Sequence, residues 1–170
     1  MNQKITPCLW FDMNCEEAIN HYVKTFNGAP GSKKGRSKIL SINRYEKGMN
    51  TPGIEHMVGK VITAIFELNG QRFMALDGGP TFKLSEAVSF EIECENQEEV
   101  DYFWEKLSNV PESEQCGWCK DKFGLSWQII PKRLGQLLMD KDKTKATRAM
   151  NAMLEMKKLD IAELEKAYNG

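Results

Sequence analysis

The 170-residue chain has the length of one ordinary domain or two small half-domains, so an assembly of several full catalytic domains is excluded. Its 41% hydrophobic and 28% charged residues are typical of a globular protein. The net charge of −1 favours neither nucleic acid nor an anionic membrane as a partner, and the sequence has no apolar run of about 18 residues that could span a bilayer. Five cysteines, an odd number, favour reduced thiols, and a start without a secretory apolar stretch adds to the expectation of a cytoplasmic protein.

The first half of the chain is predicted to form a strand, a helix and three further strands. The helix begins at Asn14, a residue favoured at N-caps, and is followed by glutamates in the first turn, where the helix dipole stabilises acidic groups. Residues 28–38 are rich in glycine and basic side chains and are predicted to form a surface loop without a nucleotide-binding motif. Asn69-Gly70 indicates a hairpin turn between the last two strands. The strands are expected at residues 5–11, 39–45, 61–68 and 72–76.

The second half repeats this pattern with a shorter middle. The helix start at Asn14 recurs 82 residues later at Asn96. An acid-x-x-Gly-x-x-aromatic pattern at residues 67–73 recurs 54 residues later at residues 121–127, again beside a predicted hairpin. The outer strands of this copy are expected at residues 88–94 and 125–130. Both copies therefore fit a strand-helix-strand-strand-strand order, which predicts an α+β fold with two βαβββ modules.

After Pro131 the repeat ends and an appended helical tail is predicted. Its helices are expected at residues 134–139, 143–157 and 161–168, with Asp142 and Asp160 as N-caps. An apolar stripe on the middle helix is interpreted as a face that docks on the body or on a dimer mate; its members are Ala146, Met150, Met153, Leu154 and Lys157. The expected domain organisation is a first module at residues 1–78, a second at residues 79–131 and a C-terminal helical extension at residues 132–170.

Few residues indicate catalysis. Of the two histidines, His56 lies in a loop that enters a strand and could act as an acid or base in a cleft, whereas His21 is expected within the first helix. Cys116 and Cys119 form a C-x-x-C pattern in a strand-like run, where they would point to opposite faces, so a structural role is favoured over zinc or redox chemistry. Neither a Gly-x-Ser-x-Gly elbow nor a dinucleotide-binding glycine turn is present.

Three tryptophans in predicted strands leave two interpretations open. Trp10, Trp118 and Trp127 are either core residues or walls of an apolar pocket. In the second interpretation Ser89 or Gln128 would supply polar contacts to a bound molecule.

The paired modules resemble the PhnB-like family, often labelled 3-demethylubiquinone-9 3-methyltransferase-like, in the glyoxalase/bleomycin-resistance/dioxygenase (vicinal oxygen chelate) superfamily. The resemblance covers most of residues 4–131. Its family-like stretches are Trp10-Phe11-Asp12, Glu16-Glu17-Ala18 with Tyr22, and residues 73–76, 78–80, 86–90, 97–101, 115–118 and 121–129. It implies two modules whose curled sheets form a cup, and it implies a homodimer, in some members with modules exchanged between chains.

The resemblance also locates four positions that bind a divalent metal in metal-dependent members of the superfamily. A His at the start of each module's first strand and a Glu in its last strand are the usual ligands. The matching positions here are Pro7, Met74, Ser89 and Gln128. These side chains are unsuited to a hard divalent ion, so neither a metal nor another cofactor is expected. The first strand also lacks the glycine-rich loop that S-adenosylmethionine binding would need.

Two functional hypotheses follow. The first is a metal-free protein that binds a small, partly apolar molecule in the cup, with ligand contacts from Trp10, Met74, Ser89, Trp118, Trp127 and Gln128. The alternative is an enzyme of the superfamily, with lyase, isomerase or transferase chemistry, that uses His56, Cys116 or Glu91 as acid, base or nucleophile. In either case the expected partners are a small molecule and a second copy of the chain, with neither nucleic acid nor membrane.

Overall fold

The computed structural model describes residues 4–33, 35–49 and 54–170, and the chain divides into two compact units, residues 1–84 and 85–170. Lys34, within the predicted loop at residues 28–38, lies outside the described residues. Within the described part of the chain no helix is long and apolar enough to cross a membrane.

The described residues of the first unit form a four-stranded sheet, one α-helix and a short 3₁₀ helix. In chain order its elements are β1 (Cys8–Phe11), α1 (Cys15–Gly28), β2 (Lys38–Arg44), β3 (Val61–Leu68) and β4 (Gln71–Asp77). The strands lie in the order β1-β4-β3-β2, with β1 parallel to β4 and the other pairs antiparallel. The hairpin predicted at Asn69-Gly70 is present, and both residues have positive φ, as such a turn requires.

One face of this sheet is buried beneath α1. Side chains alternate along each strand, and those that point towards α1 are buried together with one side of the helix. Burying a Phe or Ile side chain stabilises the fold by roughly 1.5–3 kcal/mol, so this layer holds the unit together. The buried members include Leu9, Phe11, Ile19, Tyr22, Phe66, Phe73 and Ala75. The opposite face of the sheet remains partly open.

The N-terminus of α1 is capped by a residue that the sequence does not indicate. Asn14 occupies the N-cap position, but its side chain makes no cap hydrogen bond, and its Oδ1 is buried without a partner among the described residues. The carboxylate of Asp77, at the end of β4, accepts the hydrogen bond from the Cys15 N–H at 3.0 Å instead. The prediction of side-chain capping by Asn14 is therefore wrong, since the parallel neighbour β4 brings a stronger acceptor to the helix end.

The second unit has the same order of elements with one strand fewer. It contains β5 (Ser89–Cys94), α2 (Gln97–Leu107), β6 (Trp118–Lys120) and β7 (Ser126–Pro131), and the strands lie in the order β5-β7-β6. No fourth strand forms, because only residues 108–117 lie between α2 and β6, and they include a short 3₁₀ turn at Pro111–Ser113. At α2 the predicted cap is confirmed, since the Asn96 side chain accepts from the Glu99 N–H at 3.0 Å. The α+β fold class is as predicted.

The C-terminal helices belong to the second unit. They are α3 (Lys132–Leu138), α4 (Lys143–Leu154) and α5 (Ile161–Asn169), and the predicted caps Asp142 and Asp160 both accept backbone N–H bonds. Their shared core contains Leu134, Leu137, Ala149, Leu159 and Leu164.

The apolar stripe predicted on α4 is only partly correct. Ala146 is buried and Met153 packs against the shared core, but Met150 and Leu154 are 38% and 51% exposed. The helix packs through its small residues, since alanines allow close approach, and it ends at Leu154 before Lys157. Met150 and Leu154 therefore lie on its outer side.

Candidate functional site

The candidate site is the face of the second sheet that α2 does not cover. α2 packs on β5 and β7, and the strand residues beneath it, such as Ile92, Trp127 and Ile129, are buried. The alternate residues of each strand point the other way and, apart from the buried Ser126 and from Ile130, which packs against the core of the C-terminal helices, are half-buried or exposed. We call this the open face; its members are Ser89, Glu91, Glu93, Trp118, Lys120 and Gln128.

Strand register places three members of the open face side by side. Gln128 on β7 is the direct partner of both Glu91 on β5 and Trp118 on β6. Laterally paired residues project from the same side of a sheet, so a carboxylate, an amide and an indole form one line across it. We call Glu91, Gln128 and Trp118 the polar row.

A hydrogen bond orients the central amide of the polar row. Gln128 Nε2 donates to Ser89 Oγ at 2.9 Å, between two half-buried side chains. This bond joins two of the predicted ligand-binding residues and fixes the Gln128 side chain. Ser89, Gln128 and Trp118 are therefore brought together on the open face, as a shared site requires.

Trp127, by contrast, lies in the core. Its side chain is 1% exposed on the face beneath α2, and its Nε1 donates to Asp121 Oδ2 at 2.8 Å. Trp127 is one residue out of phase with Gln128, so the pleat directs it away from the open face. Its predicted role as a pocket wall is corrected to a structural one.

Asp121 is a buried carboxylate that sequence reasoning did not single out. It is 1% exposed, and besides the indole of Trp127 it accepts the N–H groups of Phe123 at 2.8 Å and Leu125 at 3.0 Å. These bonds shape the turn between β6 and β7 and anchor Trp127 beneath the sheet. Acid and aromatic meet only in this second copy of the acid-x-x-Gly-x-x-aromatic repeat, because Glu67 in the first copy pairs with Lys38 and Arg72, so the repeat alone does not give the signal.

In the first unit, Trp10 and Met74 lie on the side of the sheet away from α1. Trp10 is half-buried because it packs on the segment after β4: its Nε1 donates to Gly79 O at 2.8 Å, and Phe82 contacts its ring edge-to-face at 4.8 Å. Met74 is half-buried in the neighbouring strand, next to Ile65. This face thus offers partly exposed apolar side chains, of which Trp10 is already engaged by its own chain.

The four positions that match the superfamily's metal ligands do not fit a hard divalent ion. The Pro7 carbonyl accepts the Met74 N–H at 2.8 Å, so these two positions are adjacent, and Ser89 is hydrogen-bonded to Gln128. Proline has no ligating side chain and methionine offers a soft thioether. Serine and glutamine offer only neutral oxygens, and hard divalent ions prefer carboxylates.

The three candidate catalytic residues are distributed over both units. His56 ends a short 3₁₀ helix, Ile54–His56, in the first unit and is exposed. Glu91 belongs to the polar row of the second unit. Cys116 lies in a positive-φ turn before β6, where its backbone N–H bonds Met156 O at 2.8 Å, so it is at the junction with the tail helices. Within the second unit, only Glu91 shares the face that holds Ser89 and Gln128.

The buried cysteines are unsuited to nucleophilic chemistry. Burial raises the pKa of Cys119 to about 12, and it raises the pKa of Cys94 to about 12 as well. Burial, together with the Asp77 carboxylate, also raises the pKa of Cys15. A thiol with such a pKa is protonated at neutral pH, whereas the thiolate is the nucleophile. Cys119 therefore acts as a small core residue rather than as a redox partner of Cys116.

Comparison with known proteins supports one family. The sequence profile of the 3-demethylubiquinone-9 3-methyltransferase family matches residues 3–130. Among solved structures, the chain is similar to a Bacillus cereus protein described as a putative 3-demethylubiquinone-9 3-methyltransferase, PhnB protein. The two sequences are 38% identical, the match covers 76% of this chain and 99% of that chain, and the TM-score is 0.59.

A protein from Pseudomonas aeruginosa shares the fold at 17% identity, with 76% of this chain and 98% of that chain covered and a TM-score of 0.56. A comparison with curated proteins returns no match. The profile match over most of the chain and the identity to the Bacillus protein confirm the resemblance that the sequence stretches indicated. The chain therefore belongs to the PhnB-like, or 3-demethylubiquinone-9 3-methyltransferase, family and has its glyoxalase-like fold.

Proposed function

We propose that the protein binds a small, partly apolar molecule on the open faces of its sheets, without the divalent metal used elsewhere in the superfamily. The observation that carries this proposal is the polar row with its Ser89–Gln128 hydrogen bond. Small-molecule sites combine apolar and aromatic side chains, which supply affinity, with a few polar groups that supply orientation, and the half-buried Trp118 and Gln128 provide both kinds of contact.

The open face of the first unit supports the apolar part of this proposal. Ile65, Met74 and Leu76 are half-buried there, although core positions of the same strands are almost fully buried. Covering this partly exposed apolar surface with a ligand would be favourable at roughly 25 cal/mol per Å². Methionine adapts its shape to different ligands, so Met74 suits a binding role better than a ligating one.

A fragment screen by NMR tests the proposal. A library of ring-containing neutral, anionic and cationic fragments would be added to metal-free protein, with the side-chain amide of Gln128 and the methyl of Met74 as reporters. We expect saturable shifts that persist with EDTA present. Trp118→Ala should weaken binding about tenfold or more, which corresponds to losing a stacked aromatic contact.

Trp104→Ala is the matched control, because Trp104 is a half-buried tryptophan on α2, which covers the opposite side of the sheet. It should leave affinity unchanged. Shifts that require an added metal, or shifts that Trp104→Ala removes and Trp118→Ala does not, would contradict the proposal.

Methyl transfer, which the family's label suggests, has no support from the residues that follow the first strand. β1 ends at Phe11 and is followed by Asp12, Met13 and Asn14, none of which is the glycine that a nucleotide-like cofactor needs for close backbone approach. We therefore propose ligand binding and not methyl transfer.

We further propose a homodimer in a reducing, cytoplasmic compartment. All five cysteines are free thiols and three of them are buried. Proteins of oxidising compartments tend instead to pair their cysteines.

Light scattering coupled to gel filtration would test the dimer, which should elute with twice the mass of one chain.

A further inference from the structure

We propose that the molecule bound at the polar row is an organic cation, with an ammonium group joined to an aromatic or apolar body about the size of phenethylamine. This inference rests on the proposed function and adds the charge of the ligand to it. It comes from the distribution of charge on the open face.

Two carboxylates on the open face form no ion pair with any residue in the described part of the chain. Glu91 and Glu93 are exposed at alternate positions of β5, so both project from the same side as Ser89. Among the described residues, neither of them forms an ion pair with a Lys, Arg or His. Two glutamates on either side of them in sequence do form ion pairs: Glu86 with Lys120, and Glu95 with Lys132. The open face therefore attracts positive charge.

The amide of Gln128 adds an acceptor beside these carboxylates. Because Gln128 Nε2 donates to Ser89, the Gln128 carbonyl oxygen is left to accept from a ligand. Lys120 lies on the same face, next to Ser126, but its ammonium group is held by Glu86. An N–H-bearing cation fits this set of acceptors, whereas an anion would meet repulsion from Glu91 and Glu93.

Trp118 completes the site for such a ligand. It is half-buried at the far end of the polar row from Glu91, two interstrand spacings or about 10 Å away at the backbone. An aromatic body can stack on the indole while its ammonium group reaches the Glu91 carboxylate, and the indole also favours a cation within about 6 Å. Glu93 lies about 7 Å from Glu91 along β5, so it adds to the negative potential around the ammonium group without sharing it.

The test uses three probes with one shared skeleton. Phenethylamine carries a positive charge at pH 7, 2-phenylethanol is neutral and phenylacetate is negative. Each would be titrated into the full chain at low salt, with the indole N–H of Trp118 and the side-chain amide of Gln128 as NMR reporters. We expect phenethylamine to bind roughly five- to thirty-fold more tightly than 2-phenylethanol, the range for contacts with two partly exposed carboxylates, and phenylacetate to bind least.

Variants test whether the preference for phenethylamine depends on the charges of Glu91 and Glu93. Glu91→Gln/Glu93→Gln should lower the preference for phenethylamine to less than about threefold, while 2-phenylethanol keeps its affinity. Glu98→Gln/Glu105→Gln removes two exposed acids from α2 and should change neither value. Raising the salt concentration should reduce the preference in the parent protein, because salt screens exposed charges.

Two failures can be told apart. Equal binding of 2-phenylethanol and phenethylamine at Trp118 and Gln128 would overturn the cation inference and leave the proposed function intact. If none of the three probes, nor any member of the fragment library, shifts these two reporters, both proposals fall. A preference for phenethylamine that survives Glu91→Gln/Glu93→Gln would also overturn the inference.

Discussion

At the scale of single residues, Asp121 illustrates how one buried carboxylate organises a turn and a core aromatic. It accepts hydrogen bonds from the N–H groups of Phe123 and Leu125 and from the indole of Trp127. Removing it leaves two buried donors and one half-buried donor unsatisfied, so we expect Asp121→Ala to lower the free energy of unfolding by roughly 3–5 kcal/mol. Urea unfolding followed by circular dichroism would measure the loss.

Asp121→Asn is a more discriminating change. The amide oxygen of the new side chain can still accept from the two backbone N–H groups, but its NH₂ group faces the indole N–H of Trp127. We expect a loss of about 1–3 kcal/mol, and a smaller loss when the same substitution is made in a Trp127→Phe background, where that donor is gone. An equal Asp121→Asn loss in both backgrounds would contradict a stabilising Asp121–Trp127 hydrogen bond.

At the scale of elements, the segment after β4 is held by a close contact with β1. Gly78 lies against the six-membered ring of Trp10, whose Nε1 is anchored on Gly79 O, and a Cβ at position 78 would overlap Cζ2 and Cε2 of that ring. Gly78→Ala should therefore lower stability by about 1–3 kcal/mol, as overpacking does. Trp10→Phe should relieve most of this loss in the double variant, because phenylalanine lacks the second ring.

Gly135→Ala is the matched control for this prediction. Gly135 lies inside α3, where a Cβ added to it would meet no atom within 4 Å, and its φ is not positive. Alanine there should raise stability by about 0.5–1 kcal/mol, because it restricts the unfolded chain. Thermal melts of the two variants should shift in opposite directions; equal shifts would contradict the close contact at Gly78.

Most helices and strands were predictable because their signals are local. Hydrophobic periodicity, the Asn69-Gly70 turn and the caps Asn96, Asp142 and Asp160 all act within a few residues. The exceptions depend on distant partners. At the start of α1 the Cys15 N–H donates to the side chain of Asp77, which lies 62 residues further along the chain, and not to the side chain of Asn14. No local rule contains that contact.

At the scale of the whole molecule, the internal repeat predicted two modules, but it could not predict which face each aromatic residue occupies. Trp118 and Trp127 lie in neighbouring strands, yet Trp118 pairs with Gln128 and Cys119 pairs with Trp127. A shift of one residue in register would exchange their environments. Register follows from contacts across the sheet, so the candidate site required the structure.

The metal content of the protein decides whether the ligand site works without a divalent ion. Protein purified without chelator or affinity tag would be analysed for metals, and its thermal melt repeated with Mn²⁺, Ni²⁺, Zn²⁺ and Fe²⁺. Because Pro7, Met74, Ser89 and Gln128 offer no carboxylate or imidazole, we predict a substoichiometric metal content and unchanged melts. A stoichiometric metal, or a melting temperature that rises with metal concentration as binding to the folded state requires, would contradict the account.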